Sequence, residues 1–442
     1  MTPHRILAAL CFAFLVVTAL AEGTVKDREA AVRKDKAAMQ DDALWRYNDH
    51  EAGFAEARRT GKPLLVVLRC VPCLSCMGLD AGVLSAEELK PLLRQFVCVR
   101  LINANAIDLA RFQFDYDLSF SAIMFNGDGT VYARYGSWKH QKDSSDKTTT
   151  GFKRALEGGL KLHAGYPQNQ AALAGKQGGQ TPFKSPLEIP GLAGRYKRDL
   201  DWDGKVLASC VHCHMVGEAY RNSFRVQSKP IPTNLIFPMP MPETIGITLA
   251  PDQMALVQGV AAGSIAARSG IRAGDQLLAL DRQPLVSPAD VSWALHRAPD
   301  DGMILASLRS GQAERSVRIT LPDGWRTKAD ISKRVGTWDM RGMATGGLVL
   351  ADLGDEERSQ RGLALDALAL KVMFVGQYNR HAAAKNAGFQ KDDILVDIGG
   401  KTGRMTEGQF IGHLLQTTKP GLRVATTVLR GSQRVRLQLP MQ

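Results

Sequence analysis

The chain lacks long hydrophobic runs, and cysteine is scarce in it. After the first 21 residues no apolar stretch reaches the roughly 20 residues that cross a bilayer, so no membrane-spanning helix is expected in the mature protein. Only 7 of the 442 residues are cysteine, and five of them fall into two tight clusters. A disulfide-stapled domain spreads its cysteines along the chain. The distribution therefore indicates cysteine chemistry at two places.

The N-terminus has the pattern of a cleaved signal peptide. Arg5 is followed by an apolar run over residues 6–20, and Ala19 and Ala21 form a small-x-small cleavage site before Glu22. Fifteen apolar residues are too few for a typical spanning helix. The mature protein is therefore expected in the periplasm or another extracytoplasmic compartment, with the signal peptide, residues 1–21, removed.

Charge of one sign is not concentrated anywhere in the chain. The formal net charge is +12, but the basic residues are scattered, which is typical of a solvated surface. Nucleic acid is not an expected partner for an exported protein, whereas weak attraction to anionic membranes is possible. The mature chain is too long for one core and predicts about three domains of ~100–150 residues each.

Composition and periodicity divide the mature chain into seven segments. The pattern predicts a multidomain protein with one small α/β domain and a diverged internal repeat, each copy of which ends in a strand pattern. The segments are a charged helical arm (22–44), an α/β domain (45–165), a linker rich in Gly, Gln, Pro and Lys (166–200), a short irregular segment (201–243), a first repeat (244–322), a bridging segment (323–365) and a second repeat (366–442).

The first cysteine cluster contains Cys70, Cys73 and Cys76 and directly follows a predicted buried strand, residues 64–68. A cysteine at the start of a helix after a strand has a lowered thiol pKa and becomes an attacking thiolate. A second cysteine one turn later resolves the mixed disulfide. The alternatives are structural thiols or a zinc site, but for zinc three cysteines without a nearby histidine fall short of the four usual ligands.

This region, from about Trp45 to Gly165, resembles the thioredoxin superfamily. The resemblance implies that Cys73 attacks and Cys76 resolves, and that Cys70 is an additional thiol that relays a disulfide or stays inert. The family has a cis-proline facing its cysteine pair, whereas this chain has Ser121 and no proline in that loop.

The second cluster, Cys210-Val211-His212-Cys213-His214, has the C-x-x-C-H pattern of covalent c-type haem attachment. The two thiols would form thioethers, and His214 would ligate the iron. His212 has no role in this pattern. The alternatives are a second thiol redox pair, half of a zinc site, or coincidence.

A sixth iron ligand is sought among the methionines of the proline-punctuated run over residues 230–242. Met239 and Met241 are separated from His214 by a distance typical of small cytochromes, and a thioether ligand raises the redox potential. The alternative for both side chains is packing against the next domain.

The first C-terminal repeat has Ala-Ala-x-x-Gly followed by Gly-Asp at residues 266–275, and the second has a diverged copy, Ala-x-x-x-Gly followed by Asp-Asp, at residues 384–393. They resemble PDZ domains of the bacterial, protease-associated type, which are β-sandwich or barrel domains with helices and bind an extended peptide C-terminus along an open strand edge. In the first repeat, the loop and strand that this implies contain Ile245, Gly246, Ile247 and Leu249. In the second repeat, residues 368–372 are aligned there and lack the glycine, so peptide binding is expected at the first. No Ser/His/Asp arrangement indicates a protease.

The whole arrangement resembles an exported bacterial family of thioredoxin-like/PDZ proteins, some of which are selenoproteins; this chain has cysteine throughout. The interpretation is an exported thiol–disulfide redox protein that docks to partner proteins through its PDZ domains and carries a c-type haem. Two other hypotheses remain. One is a non-enzymatic peptide-binding scaffold with an inert thioredoxin-like domain, and the other is an electron-transfer cytochrome.

Overall fold

The computed structural model describes residues 28–70, 83–118, 120–136 and 149–442. The predicted signal segment and the first residues of the charged arm lie outside this part of the chain. From residue 28 the arm is helical, and this helix (α1) ends at residue 39. No helix in the described part is long and apolar enough to cross a membrane.

The first domain is built on a five-stranded mixed sheet with the order β1-β3-β2-β4-β5. Strands β1 and β2 run parallel to β3, β4 is antiparallel to β2, and β5 is antiparallel to β4. The strands are β1 Trp45–Tyr47, β2 Leu64–Arg69, β3 Val97–Leu101, β4 Phe120–Phe125 and β5 Val131–Tyr135. The helices are α2 His50–Thr60, α3 Lys90–Leu93 and α4 Thr149–Ala164. The α/β domain and the buried strand predicted over residues 64–68 are confirmed.

The central strand β2 is buried on both faces because helices cover both sides of the sheet. Leu64, Val66 and Leu68 pack into one core, whereas Leu65 and Val67 pack into the other, as the alternation of side chains along a strand requires. Helix α2 approaches the first face so closely that a Cβ at Gly53 would lie 2.5 Å from Val99 Cγ2. An uninterrupted apolar strand is typical of such a doubly covered position.

Residues 166–200, predicted as a linker, pack on the first domain instead. Leu173 contributes to the core on one face of the sheet, and Ile189 and Leu192 contribute to the core on the other. The short elements here are α5 Gln170–Leu173 and the 3-10 turns Ala174–Lys176 and Pro186–Glu188. Glycine and proline are compatible with this compact, irregular path, and composition alone did not show the few apolar residues that fix it.

The segment around the C-x-x-C-H motif also lies on the first domain. It contains α6 Cys213–Val226 and α7 Thr233–Ile236. Val211 and Val216 belong to the same core as Leu64 and Val66 of β2, while Ile236 and Phe237 pack into the core of the second repeat. The segment is therefore held between two domains and has no separate core.

The first repeat combines two antiparallel sheets with two helices. A two-stranded sheet pairs β6 Ile247–Leu249 with β7 Val257–Val260. The larger sheet has the order β11-β10-β8-β9. Its strands are β8 Gln276–Leu280, β9 Gln283–Pro284, β10 Gly302–Ser310 and β11 Ala313–Leu321, and the helices are α8 Ile265–Arg268 and α9 Pro288–Arg297.

Helix α9 attaches the first repeat to the thioredoxin-like sheet. Asp290 of α9 pairs with Lys176 at 2.9 Å and accepts the backbone N–H of Arg134 at 3.0 Å. The guanidinium of Arg134 lies 3.6 Å from the ring centroid of Trp293. All four side chains are almost fully buried, so the two domains share one polar interface.

The second repeat begins earlier than predicted, because part of the bridging segment belongs to its sheet. The sheet order is β12-β13-β14-β15-β16. The strands are β12 Leu348–Asp352, β13 Leu370–Val375, β14 Ile394–Ile398, β15 Arg423–Arg430 and β16 Gln433–Pro440. The helices are α10 Val335–Thr345, α11 Asp355–Gln360, α12 Ala383–Asn386 and α13 Glu407–Thr417.

Candidate functional site

Cys70 lies at the end of the central strand of the first domain. It follows Arg69, the last residue of β2, and its side chain is half-buried. Ligands of open α/β sheets bind beyond the carboxyl ends of the strands, so this end of the sheet is the expected place for chemistry. Cys73 and Cys76, predicted to attack and to resolve, lie outside the described residues.

The C-x-x-C-H motif is fixed to the same end of the sheet by one buried asparagine. Asn105, in the loop after β3, is fully buried. Its Oδ1 accepts the backbone N–H of Val211 at 2.7 Å. Its Nδ2 donates to the carbonyl oxygens of Lys197 and Ser209 at 2.7 and 2.8 Å. Because two of these bonds, to Ser209 and Val211, hold the chain on both sides of Cys210, the start of the motif has a defined position.

Cys70, Cys210 and Cys213 line one cavity of about 30 Å³. His212 lines it as well, and its Nδ1 lies 3.4 Å from Cys70 Sγ. The remaining wall is mainly apolar: Val32, Leu68, Leu101, Ile102, Ala104, Leu200, Val206, Leu207 and Val211, with Arg69. The two cysteine clusters are separate motifs in the sequence. In the structure, Cys70 of the first cluster and both cysteines of the second line the same cavity.

Burial in this apolar cavity is the main influence on the pKa values of the thiols. Burial, together with the charge of Cys70, raises the pKa of Cys210 to about 12. The pKa of Cys213 is also raised, first by burial, then by the charge of Cys70 and to a smaller extent by that of Cys210. Both thiols are therefore protonated at neutral pH in this arrangement, and ionisation of any one of the three opposes that of the others.

The predicted iron ligand His214 is not part of this cavity. Its Nδ1 lies 2.8 Å from Glu218 Oε1, an orientation that would leave Nε2 available to a metal. The two sulfurs, in contrast, line a cavity that holds one or two water molecules and is far smaller than a porphyrin. In this arrangement the three residues do not fit one haem, and haem attachment stays a prediction.

Met239 and Met241, predicted as possible axial ligands, line another cavity together with Arg134 and Ser292. That cavity shares no lining residue with the thiol cavity. The backbone N–H of Met239 also donates to His296 Nδ1 at 3.4 Å. Both methionines thus pack where the first domain meets α9. Among the described residues, no group of three or more His, Cys, Asp or Glu is arranged to hold a metal ion.

Sequence reasoning missed two residues of the site. His212 was given no role, because the C-x-x-C-H pattern assigns none to its central positions, yet it contacts Cys70. Asn105 belongs to a polar stretch after a strand, which is an ordinary loop pattern. An asparagine whose side chain satisfies three backbone groups cannot be recognised without the fold.

The predicted peptide-binding residues lie at an edge strand of the first repeat. Gly246 has a φ of +88° and precedes β6, and among the described strands β6 pairs only with β7. The side chains of Ile245, Ile247 and Leu249 are buried in the core of the repeat. What β6 offers to a ligand is therefore its backbone edge.

The alignment of the second repeat was wrong in one respect. Strand β13, which contains residues 370–372, precedes α12 as β7 precedes α8, so the counterpart of β6 is β12. The glycine is then present as Gly347, with a φ of +91°. However, the backbone N–H of Leu350 in β12 donates to Glu407 Oε1 at 2.8 Å, and Glu407 pairs with Arg341 at 2.6 Å. Part of this strand edge is already bonded within the chain.

Comparisons with known proteins support two of the predicted domains. A thioredoxin-like family model matches residues 45–127, and a PDZ domain model matches residues 256–309. The chain therefore contains a thioredoxin-like domain and a PDZ domain, the latter in the first repeat. No curated protein matches the chain.

Solved structures with similarity to the chain include the HtrA-type protease AlgW. Its complex with a tripeptide is 21% identical over 21% of this chain and 29% of that one, with a TM-score of 0.17. Its complex with a decapeptide is 16% identical over 31% and 48% of the two chains, with a TM-score of 0.20. The chain spans less than half the length of either structure.

Proposed function

We propose that this protein is an exported thiol–disulfide oxidoreductase whose PDZ domain docks it to partner proteins. The observation that carries the proposal is the meeting of Cys70 with a second cysteine pair at the carboxyl end of the central strand of a thioredoxin-like sheet. Thiols gathered at that position are suited to disulfide exchange with a substrate protein.

In this proposal Cys73 attacks a substrate disulfide and Cys76 resolves the mixed disulfide, as the sequence predicts. Cys70 is the additional thiol next to them in the chain. A thiolate is the nucleophile in each exchange, so a nearby base contributes. His212 lies 3.4 Å from the Cys70 sulfur and is placed to exchange a proton with it.

The docking partner would be an extended peptide or a protein C-terminus. Such a ligand would add to the free edge of β6, and its terminal carboxylate would meet the loop that ends at Gly246. Of the two repeats, the first is the better candidate, because the edge N–H of Leu350 in the second is bonded to Glu407. Binding of a labelled C-terminal peptide library to the full mature chain tests this part.

Insulin reduction by the mature chain in the presence of dithiothreitol tests the redox activity. The variant Cys73→Ser is expected to lose catalysis. The matched control is Cys98→Ser, because Cys98 is buried against the other face of the sheet and donates to Leu93 O at 3.4 Å. If wild type is no faster than dithiothreitol alone but still binds peptides, the non-enzymatic scaffold is the better interpretation.

Export is a separate part of the proposal, and the predicted haem is an alternative to thiol chemistry at Cys210 and Cys213, because thioether bonds would consume both thiols. Each has its own test. The exported protein is expected in the periplasmic fraction with Glu22 as its first residue. Haem attachment at Cys210 and Cys213 would give a c-type α-band and covalent haem after denaturation, in protein expressed with c-type maturation. A spectrum without this band under those conditions removes the haem, and with it the electron-transfer cytochrome.

A further inference from the structure

Three cysteines from two distant parts of the chain lie around one small cavity. Cys70 comes from the end of β2, and Cys210 and Cys213 come from the segment before α6. Cys210 and Cys213 are not joined by a disulfide. Because Cys70 and the C-x-x-C pair line the same cavity, a disulfide can pass from Cys70 to the pair by exchange within one chain.

The fold holds this meeting in place. Asn105 bonds the chain before and after Cys210, at Ser209 and Val211. Val211 is itself fully buried in the core that also contains Leu68 of β2. The three thiols therefore share a cavity because Val211 is packed in the core and Asn105 bonds the residues on both sides of Cys210.

We infer that Cys210 and Cys213 are a second redox pair, which receives the disulfide formed at Cys70. This inference rests on the proposed thiol–disulfide activity and names the internal partner of that site. The substrate class is a protein disulfide, which acts as the oxidant. The pair is the reductant within one cycle, and an external dithiol such as dithiothreitol reduces it again before the next cycle.

The electron balance follows from three exchanges. Substrate reduction leaves a Cys73–Cys76 disulfide, and the Cys70 thiolate attacks it, giving a Cys70–Cys73 disulfide and the Cys76 thiol. Cys213 then attacks the Cys70 sulfur, so that a Cys70–Cys213 disulfide forms and the Cys73 thiol leaves. Finally Cys210 attacks Cys213, which releases the Cys70 thiol. In sum, the Cys73–Cys76 disulfide becomes two thiols and the Cys210–Cys213 dithiol becomes a disulfide, with protons conserved.

The position of Cys213 beside His212 indicates the order in which the thiols act. Cys213 is the first residue of α6 and directly follows His212, so it is the pair thiol taken to attack at Cys70. His212 precedes Cys213 and is the N-cap residue of α6, and its ring contacts Cys70. It can take the proton of Cys70 before the attack and return it when Cys70 leaves.

Trapping of the intermediate tests the inference. The full mature variant Cys210→Ser lacks the last thiol and is expected to accumulate the Cys70–Cys213 disulfide after oxidation with oxidised glutathione. Acid quenching, alkylation and non-reducing peptide mapping identify that linkage. Cys98→Ser is the control and should yield the Cys210–Cys213 disulfide. In the wild type, differential alkylation during a titration with oxidised glutathione follows the oxidation of Cys210 and Cys213 without any substitution.

A second variant tests the proton transfer. His212→Ala should slow formation of the Cys70–Cys213 disulfide about a hundredfold at pH 7, and the difference should shrink at higher pH, where Cys70 ionises without help. A residue that only supports packing would give the same ratio at every pH.

The inference is overturned if the Cys210→Ser variant forms no Cys70–Cys213 linkage and both wild-type pair thiols stay alkylatable throughout the titration. Insulin reduction, measured in parallel, separates this result from failure of the proposed function. If wild type reduces insulin but Cys213→Ala does so equally well, the oxidoreductase stands and the internal pair is refuted. If the linkage forms and insulin is not reduced, the internal pair stands and the proposed activity is refuted.

Discussion

The ion pair between Lys176 and Asp290 gives the most quantitative prediction, because it joins the thioredoxin-like and PDZ domains without access to water. Each side chain is 1% exposed, and the distance from Nζ to Oδ2 is 2.9 Å. Burial lowers the pKa of Lys176, whereas Asp290 raises it. Replacing Asp290 by Asn keeps the shape of the side chain but leaves the ammonium next to Arg134 with no counter-charge.

Removing one partner of a buried ion pair costs about 3–5 kcal/mol, because the other charge stays buried and uncompensated. For a unit of this size about 1 kcal/mol shifts the melting temperature by roughly 2–4 °C. We therefore expect Asp290→Asn to lower the melting temperature of the joined domains on the order of 10 °C, as measured by differential scanning calorimetry. The double variant Asp290→Leu/Lys176→Met should recover only part of this loss, because it removes the unpaired ammonium but leaves the buried Arg134, whose backbone N–H Asp290 accepts.

Glu314→Gln is the matched control, since it removes the same charge from an exposed pair. Glu314 and Arg309 are 2.8 Å apart and are 61% and 48% exposed, so the expected cost is about 0–1 kcal/mol. If Asp290→Asn lowers the melting temperature no more than Glu314→Gln does, the Lys176–Asp290 pair does not hold the interface together and the reasoning is refuted.

Three further predictions concern the thiol cavity, a buried histidine and the docking edge. Burial raises the pKa of Cys210 to about 12, so its alkylation in the native chain should rise about tenfold per pH unit between pH 7 and 10; a plateau near pH 9 would contradict this. Burial, together with nearby arginines, lowers the pKa of His296 to about 3. The unfolded chain takes up this proton near pH 6.5, so stability should fall as the pH drops from 6.5 towards 3, by about 2 kcal/mol at pH 5, and His296→Gln should flatten this dependence in thermal unfolding. A Cβ at Gly246 would collide with the side chain of Ser264, whereas Gly263, also at positive φ, faces open space. Gly246→Ala should therefore weaken the binding of a C-terminal peptide, as measured by fluorescence anisotropy. The control Gly263→Ala should lower the free energy of unfolding by about 1–3 kcal/mol through backbone strain alone and leave peptide binding unchanged.

The sequence predicted the first domain well because its signals are local. The apolar run of β2 and the helix His50–Thr60 are strong periodic patterns, and the order of elements around them is typical of one sheet. At residues 166–200 local composition gave a wrong prediction. The abundant Gly and Pro indicated a linker, but Ile189 and Leu192 pack into the core of the first domain and fix the segment on the sheet.

The candidate site was predictable only in parts. Both cysteine clusters are visible as motifs, but their meeting depends on Asn105 and on the burial of Val211, which are tertiary features. The alignment of the second repeat with the first was wrong for a related reason. Its edge strand β12 is separated from β13 by α11 and a turn, an insertion that moves the glycine out of the expected spacing.

The attachment of α9 affects how docking and redox chemistry relate to each other. Helix α9 carries both Asp290 and Trp293, which bind Lys176 and stack on Arg134 of β5. The PDZ domain is therefore fixed to the sheet that also bears Cys70, and no flexible tether separates them. A partner held along β6 would meet the thiols at a nearly constant distance. Its effective concentration at Cys70 would then depend on the length of the partner's own tail. Partners whose disulfides lie at one particular distance from the C-terminus should be preferred.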